Sequence, residues 1–254
     1  MKPTLSIIAA VILALAVPSR AGAQSEITLL SPDPIKATIE KLVGDFQAKS
    51  GTQVKITYGT GVGTRKTVAS GQALDVSLLF APFAEALKTG NIVSGSATVI
   101  ARLRLALAVP KGAPKPDIST AEAVKRTLLN AKSILSVDPT QGSVGGIALA
   151  TLDKLGITEQ VKPKIKWVQT GIIVQDSVAK GEAEIALGPY LSDMRNPGLD
   201  VVGALPPEAS TPVDITGFLS TSVKDPKAAK ALLDYLSSHE AAPVYEAAKI
   251  FPAH

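Results

Sequence analysis

Four short stretches of this sequence carry the residue types needed to hold an anion: Ser31-Pro32-Asp33, 59–64, 140–146 and 169–172. Each is small, hydroxyl-bearing or glycine-rich, and each stands between a β-branched run and a helical run. A helix N-terminus offers unpaired backbone N–H groups and a partial positive charge, so it favours a negative ligand. Glycines let the backbone approach closely, and Ser or Thr hydroxyls donate without adding a formal charge. Any one stretch alone reads as a tight turn or a cap, because Gly and Ser dominate turns. Four of them at the carboxyl ends of strands point instead to a cleft for a small oxyanion or carboxylate.

Charged and aromatic residues near these stretches are weighed the same way. Arg65 falls just inside the helix after the glycine-rich turn, where it could neutralise a bound anion. Arg102 and Arg104 are two apart in an extended run and share a face, which reads first as a solvated sheet face or an ion pair. Asp33 opposes an anion unless it is committed as a helix cap, a role that Pro34 behind it supports. Trp167 reads as core, and Tyr190 is a candidate to supply a hydroxyl.

Other chemistries lack their residues. There is no cysteine, which removes thiol nucleophiles, disulfides, iron–sulfur clusters and Cys-based zinc sites. The two histidines, His239 and His254, stand near the C-terminus without an evident partner, and His239 reads as a C-terminal cap. The glycine run misses the dinucleotide fingerprint because Thr64 stands three residues after Gly61. It misses the phosphate loop because Arg65 precedes Lys66-Thr67. No G-x-S-x-G elbow occurs. No metal and no cofactor are expected, and an exported hydrolase or lyase would need a nucleophile–base pair that is not found.

These stretches need a frame to position them. Strands are predicted at 26–31, 54–59, 75–80, 98–110, 133–138, 164–169, 184–188 and 213–223. Helices are predicted at 33–51, after 63 to Ala69, 83–88, 121–130, a run ending near Leu155, 173–180 and 227–238. Such alternation is the mark of an α/β fold. The run 75–80 is almost wholly apolar, as in a strand covered on both faces. Two α/β series joined by long extended crossings imply two lobes with a cleft.

The 254 residues are 46% hydrophobic with a net charge of +4, which excludes a disordered chain. Residues 1–23 read as a secretory signal peptide: Lys2, the apolar run 5–17, then Ala21-Gly22-Ala23. That run is shorter than the about 20 residues a spanning helix needs. Cleavage after Ala23 removes Lys2 and Arg20 and no acid, so the charge falls to +2. No basic run suggests nucleic-acid binding.

The order of these segments resembles the molybdate-binding branch of periplasmic solute-binding proteins that serve ABC transporters. The likeness rests on ITLLSPDPIKATIEKLVGDFQAKSG, VKITYGTGVGTRKTVASGQALDVSLL, LALAVPKGAP, SVDPTQGSVGGIALATLDKLGI, GEAEIALG and DPKAAKALLDYLSSHEAAPVYE. It implies a type II periplasmic-binding fold, each lobe a mixed sheet flanked by helices, with crossing hinge strands. Lobe I would comprise 24–105 and 211–254, and lobe II 106–210. It implies capture of a small anion without catalysis by a periplasmic monomer that delivers it to an ABC permease. Carried over by position, the first family ligand is Ser31. The second, a serine, falls on Gly61 with Thr60 beside it. A backbone donor falls on Val144 next to Gly145, and another near Gly171 or Ile172. The family tyrosine falls on Pro189, displacing Tyr190 by one. The first loop is also about three residues longer than in molybdate binders. The ligand stays open between a molybdate-like oxyanion and a small organic acid, and the role between transport and ligand sensing.

Overall fold

Apolar runs that end in glycine, proline or a hydroxyl residue set most element boundaries. The computed structural model describes residues 26–191 and 196–254, and the predicted signal peptide lies outside them. The chain begins with β1 (Glu26–Pro32), a 3-10 turn (Asp33–Ile35), α1 (Lys36–Ser50), β2 (Gln53–Gly59), α2 (Gly61–Ala69), β3 (Val76–Phe80) and α3 (Ala84–Lys88). A further 3-10 turn (Ser94–Ser96) leads to β4 (Thr98–Leu103) and β5 (Leu105–Pro110). Next come α4 (Ala121–Asn130), β6 (Ile134–Val137), α5 (Ser143–Lys154), α6 (Thr158–Val161) and β7 (Ile165–Val168). These lead to α7 (Gly171–Ala179), β8 (Ile185–Pro189) and β9 (Leu199–Ala204). The last elements are β10 (Val213–Leu219), α8 (Pro226–Leu236), α9 (Ala242–Ala247) and β11 (Phe251–Pro252).

Local chemistry explains the starts and stops. Thr60, Thr120, Thr170 and Asp225 cap α2, α4, α7 and α8 by accepting a first-turn N–H on the side chain. Gly51 ends α1 in the left-handed region at φ 72°. Asp33 does not take the cap role expected of it. The turn tightens to 3-10, the Lys36 N–H bonds the Asp33 main-chain carbonyl, and α1 starts at Lys36. Among the described residues the carboxylate of Asp33 accepts no hydrogen bond.

Two mixed sheets form. The first has the order β11-β4-β10-β3-β1-β2 and the second β7-β6-β8-β5-β9. In the first, β3 is buried at every residue, while β2 at the edge alternates. The run 98–110, expected as one extended stretch, breaks at Arg104, where the chain leaves one sheet for the other. The return crossing, between β9 and β10, is hydrogen-bonded to it through Leu205 N to Leu105 O at 2.8 Å. Arg104 Nη2 donates to Leu205 O at 2.7 Å, and its guanidinium lies 4.9 Å from the Phe251 ring centroid. Arg102 pairs with Asp214 at 2.9 Å, so this arginine pair braces the crossings and does not face a ligand. Trp167 packs against the core of the second sheet.

One buried carboxylate secures the first sheet at its far end. Asp75 is 2% exposed; it accepts from Thr28 N and Oγ1, each at 2.8 Å, and from Lys224 N at 2.8 Å. Burial pushes this carboxyl up, but the three hydrogen bonds and the Lys224 charge outweigh it and hold it below the usual carboxylate range. Such a group contributes stability above its ordinary pKa and loses it as pH falls through the depressed folded value. Asp75→Asn should cost about 2–4 kcal/mol at neutral pH, because it sets an amide against buried donors. Urea midpoints should converge between wild type and variant as pH drops from about 5 towards 3. A constant gap would show that the Asp75 charge contributes nothing.

Candidate functional site

The carboxyl ends of β1, β3, β6 and β8 open onto a cavity of about 460 Å³ between the two sheets. The first lobe contributes Asp33 and Pro34 from the 3-10 turn, Thr60 and Gly61 at the start of α2, and Phe80 at the end of β3. The second contributes 141–144 before and within α5, 169–172 at the start of α7, and the end of β8. Three helix N-termini, those of α2, α5 and α7, thus converge on one space.

Their donors are free in a specific sense. Thr60 Oγ1 accepts from Gly63 N at 2.9 Å and Thr170 Oγ1 from Ile173 N at 3.3 Å. Each bond uses a lone pair, so each hydroxyl keeps its hydrogen for a ligand. Gly142 caps α5 with no side chain, which leaves the first-turn N–H groups of that helix to the cavity. The loop before α5 is held by Asp138, whose carboxylate accepts from Thr140 Oγ1 at 2.6 Å and Thr140 N at 2.7 Å. Those bonds, the hydroxyl first, hold Asp138 below the usual carboxylate range. Gln141, Gln169 and Gln175 add neutral amides, and Asp33 is the one charged residue among the lining. Ile172, 71% exposed, is an apolar residue of the lining, and its neighbour Ile173 is 40% exposed.

Of the residues singled out in the sequence, Thr60, Gly61, Val144 and Gly171 come together on this cavity. Ser31, Gly145 and Tyr190 do not line it. Ser31 is fully buried because β1 continues through Pro32, pairing Ser31 with Tyr58, and its Oγ reaches only Pro32 O at 3.5 Å. Gly145 is packed on the backbone after β6: a Cβ there would overlap Val137 O and lie 2.6 Å from Pro139 N. Tyr190 belongs to the crossing, its N–H bonded to Arg104 O at 2.7 Å.

Ser143 and Phe80 were not singled out by sequence reasoning. Arg65, weighed as a residue that could neutralise a bound anion, is not among the lining and stands behind these two. Its Nη1 donates to Phe80 O at 3.3 Å and across the cleft to Ser143 Oγ at 2.9 Å. Burial lowers the guanidinium pKa, with Glu85 opposing the effect. A Cβ on Gly61 would overlap the Ser143 side chain, so the space of a residue-61 side chain is filled from the opposite lobe.

A second hollow, about 570 Å³, lies on the second lobe alone, bordered by Asp117, Arg126, Lys132 and Glu184. It faces the C-terminal end of α4, where the helix charge disfavours an anion. Among the described residues no group of three or more His, Cys, Asp or Glu could hold a metal ion. His239 is not the C-cap of α8; Ser237 is, and the His239 ring lies 5.7 Å from that of His254.

The sequence model described as bacterial extracellular solute-binding protein matches residues 27–248. The chain belongs to this family. A protein named aconitate isomerase from Pseudomonas sp. is 29% identical to this solute-binding protein over 235 residues, covering 89% of this chain and 87% of its own. The molybdate-binding protein ModA of Azotobacter vinelandii is 28% identical over 218 residues, covering 83% and 84%. A substrate-binding domain from Clostridium difficile, assigned to a molybdenum ABC transporter, superposes with a TM-score of 0.75 at 16% identity. That superposition covers 91% of this chain and 100% of that one. Solute-binding proteins of this fold are two mixed sheets flanked by helices, the type II periplasmic-binding architecture.

Proposed function

We propose that this solute-binding protein captures a small organic acid in the interlobe cavity, in the periplasm, and delivers it as a monomer to an ABC permease without altering it. The observation that carries this reading is the size of a cavity lined by neutral donors. A cleft of about 460 Å³ falls in the range of sites that hold organic small molecules, about 300–1,000 Å³, and is roomier than a tetrahedral oxyanion needs. A di- or tricarboxylate spans the cavity, setting one carboxylate on the N-terminus of α5 and another on that of α7. Thr60, Gly61, Ser143, Val144 and Gly171 are the proposed ligand contacts. Asp33, an acceptor in a cleft for anions, suits a ligand hydroxyl. The relative named aconitate isomerase supports a tricarboxylate over molybdate.

That same relative favours one second reading. An isomerase would take a proton from a methylene carbon, let the electron pair shift across the allylic unit, and return the proton to the far carbon. Asp33, the one carboxylate among the lining residues, would carry that proton in this reading.

The test is a thermal-shift panel on ligand-stripped protein with molybdate, sulfate, phosphate, citrate, cis- and trans-aconitate and smaller acids. A ligand at about 100 times its Kd adds about 2.7 kcal/mol, or about 5–10 °C for a chain of this size. A shift with tricarboxylates, and an unchanged acid by proton NMR, is the expected result. A shift with molybdate alone overturns it. Interconversion of the aconitates that is lost in Asp33→Asn replaces capture by isomerisation.

A further inference from the structure

Arg65 is half-buried, yet among the described residues its side chain engages only two acceptors, both neutral: Phe80 O and Ser143 Oγ. Glu85 offsets part of the cost of burying this guanidinium without hydrogen-bonding to it, and an anion placed nearby relieves the rest. The bond to Ser143 joins residues 78 apart, from α2 on one lobe to the first residue of α5 on the other. Ser143 is only 8% exposed and lines the cavity. With one lone pair filled by the guanidinium, its hydroxyl hydrogen points away from Arg65 and is free for an acceptor in the cavity that Ser143 lines. No side chain can stand at residue 61 while Ser143 is seated there, so the donor at this corner comes from the opposite lobe.

We propose that Arg65 is a positioning residue that acts through Ser143: it fixes the Ser143 hydroxyl as a ligand donor and ties the two lobes into the closed form. A bound carboxylate in front of Ser143 completes the chain guanidinium–hydroxyl–carboxylate, so closure and the ligand's negative charge reinforce each other. A neutral ligand of the same shape lacks that coupling. The ligand arm of this inference rests on the organic-acid reading; the closure arm does not.

The chain has no cysteine, so Lys88→Cys and Lys166→Cys, both at exposed positions on different lobes, accept a pair of spin labels cleanly. Measured with and without trans-aconitate, the label distance distribution should shift to longer distances in both Arg65→Ala and Ser143→Ala relative to the unmutated protein. An unchanged distance in both variants overturns the proposal, whatever the ligand proves to be. Calorimetry with trans-aconitate then forms a double-mutant cycle. Each single variant should weaken binding about 10–100-fold, the range of one hydrogen bond to a charged group. The double variant should be no weaker than the worse single within about threefold, since the two residues act as one unit. Effects that multiply would overturn the coupling. If the unmutated protein binds no acid of the panel, the organic-acid reading fails, and the label distances still judge the Arg65–Ser143 tie.

Discussion

Replacing Gly61 by alanine should leave each lobe folded and remove ligand capture. The new Cβ would overlap Ser143 Oγ, lie 2.9 Å from Ser143 Cβ and sit 3.0 Å from Phe80 Cδ2. Two of these three contacts belong to the opposite lobe, so the molecule escapes them by staying open, at little cost to either core. An open cleft separates the α2 N-terminus from those of α5 and α7, and a ligand then meets half its donors. The expected outcome is a loss of affinity of at least about 100-fold, equivalent to about 2.7 kcal/mol. The melting temperature without ligand should move by no more than a few degrees. Adding Ser143→Gly removes both opposing atoms, so the pair Gly61→Ala with Ser143→Gly should close no less well than Ser143→Gly alone, the clash being gone but the Arg65 tie absent. The pair Gly61→Ser with Ser143→Gly should bind more tightly than that pair, because a hydroxyl returns to the same corner from the other side. Tight binding by Gly61→Ala alone would mean that capture does not need the lobes this close.

How far the sequence could anticipate this architecture follows from what each signal depends on. Strand β3 was legible as an almost wholly apolar run, with Ser77 its one polar residue, because both faces are covered. Helix α4 was legible to its ends, since Thr120 caps it and its apolar spacing is regular. The break at Arg104 was not, because a strand pattern runs straight through it. Only pairing to different sheets divides β4 from β5. Strand β9 was missed as well: its glycine, Gly203, adopts φ 153°, and its side chains are half-buried with no clean alternation.

The site divides along the same line. Loops that feed helix N-termini are local features, so Thr60, Gly61, Val144 and Gly171 could be picked out by position. Ser31 depended on where β1 stops, and pairing with β2 carries the strand one residue further, onto Pro32, a residue type that commonly opens a loop. Tyr190 depended on the crossing that binds its N–H. The Arg65–Ser143 contact spans 78 residues and two lobes, and no local pattern encodes it. Its one trace in the sequence is negative: a glycine at 61, where the resemblance implies a serine.

Adjacent glycines in α5 should respond to the same substitution with opposite signs. Gly145→Ala places a methyl against Val137 O, Pro139 N at 2.6 Å and Asp138 C at 2.7 Å, all main-chain atoms that cannot rotate away. Relief requires α5 to lift off the strand it packs on, so overpacking should cost about 3 kcal/mol or more. For a chain of this size that lowers the melting temperature by about 6–12 °C. The shift also moves the N–H groups of Ser143 and Val144 away from the cavity, so binding should weaken together with stability. Gly146 has nothing within 4 Å of its Cβ position and lies in the same helix. Alanine there restricts the unfolded chain and favours the helix, so Gly146→Ala should stabilise by about 0.5–1 kcal/mol and leave affinity unchanged. Thermal melts and calorimetry on the two variants separate packing from ligand contact at this helix. If Gly145→Ala melts like the unmutated protein, α5 is not seated on the loop after β6, and the donor geometry built on that seat fails with it.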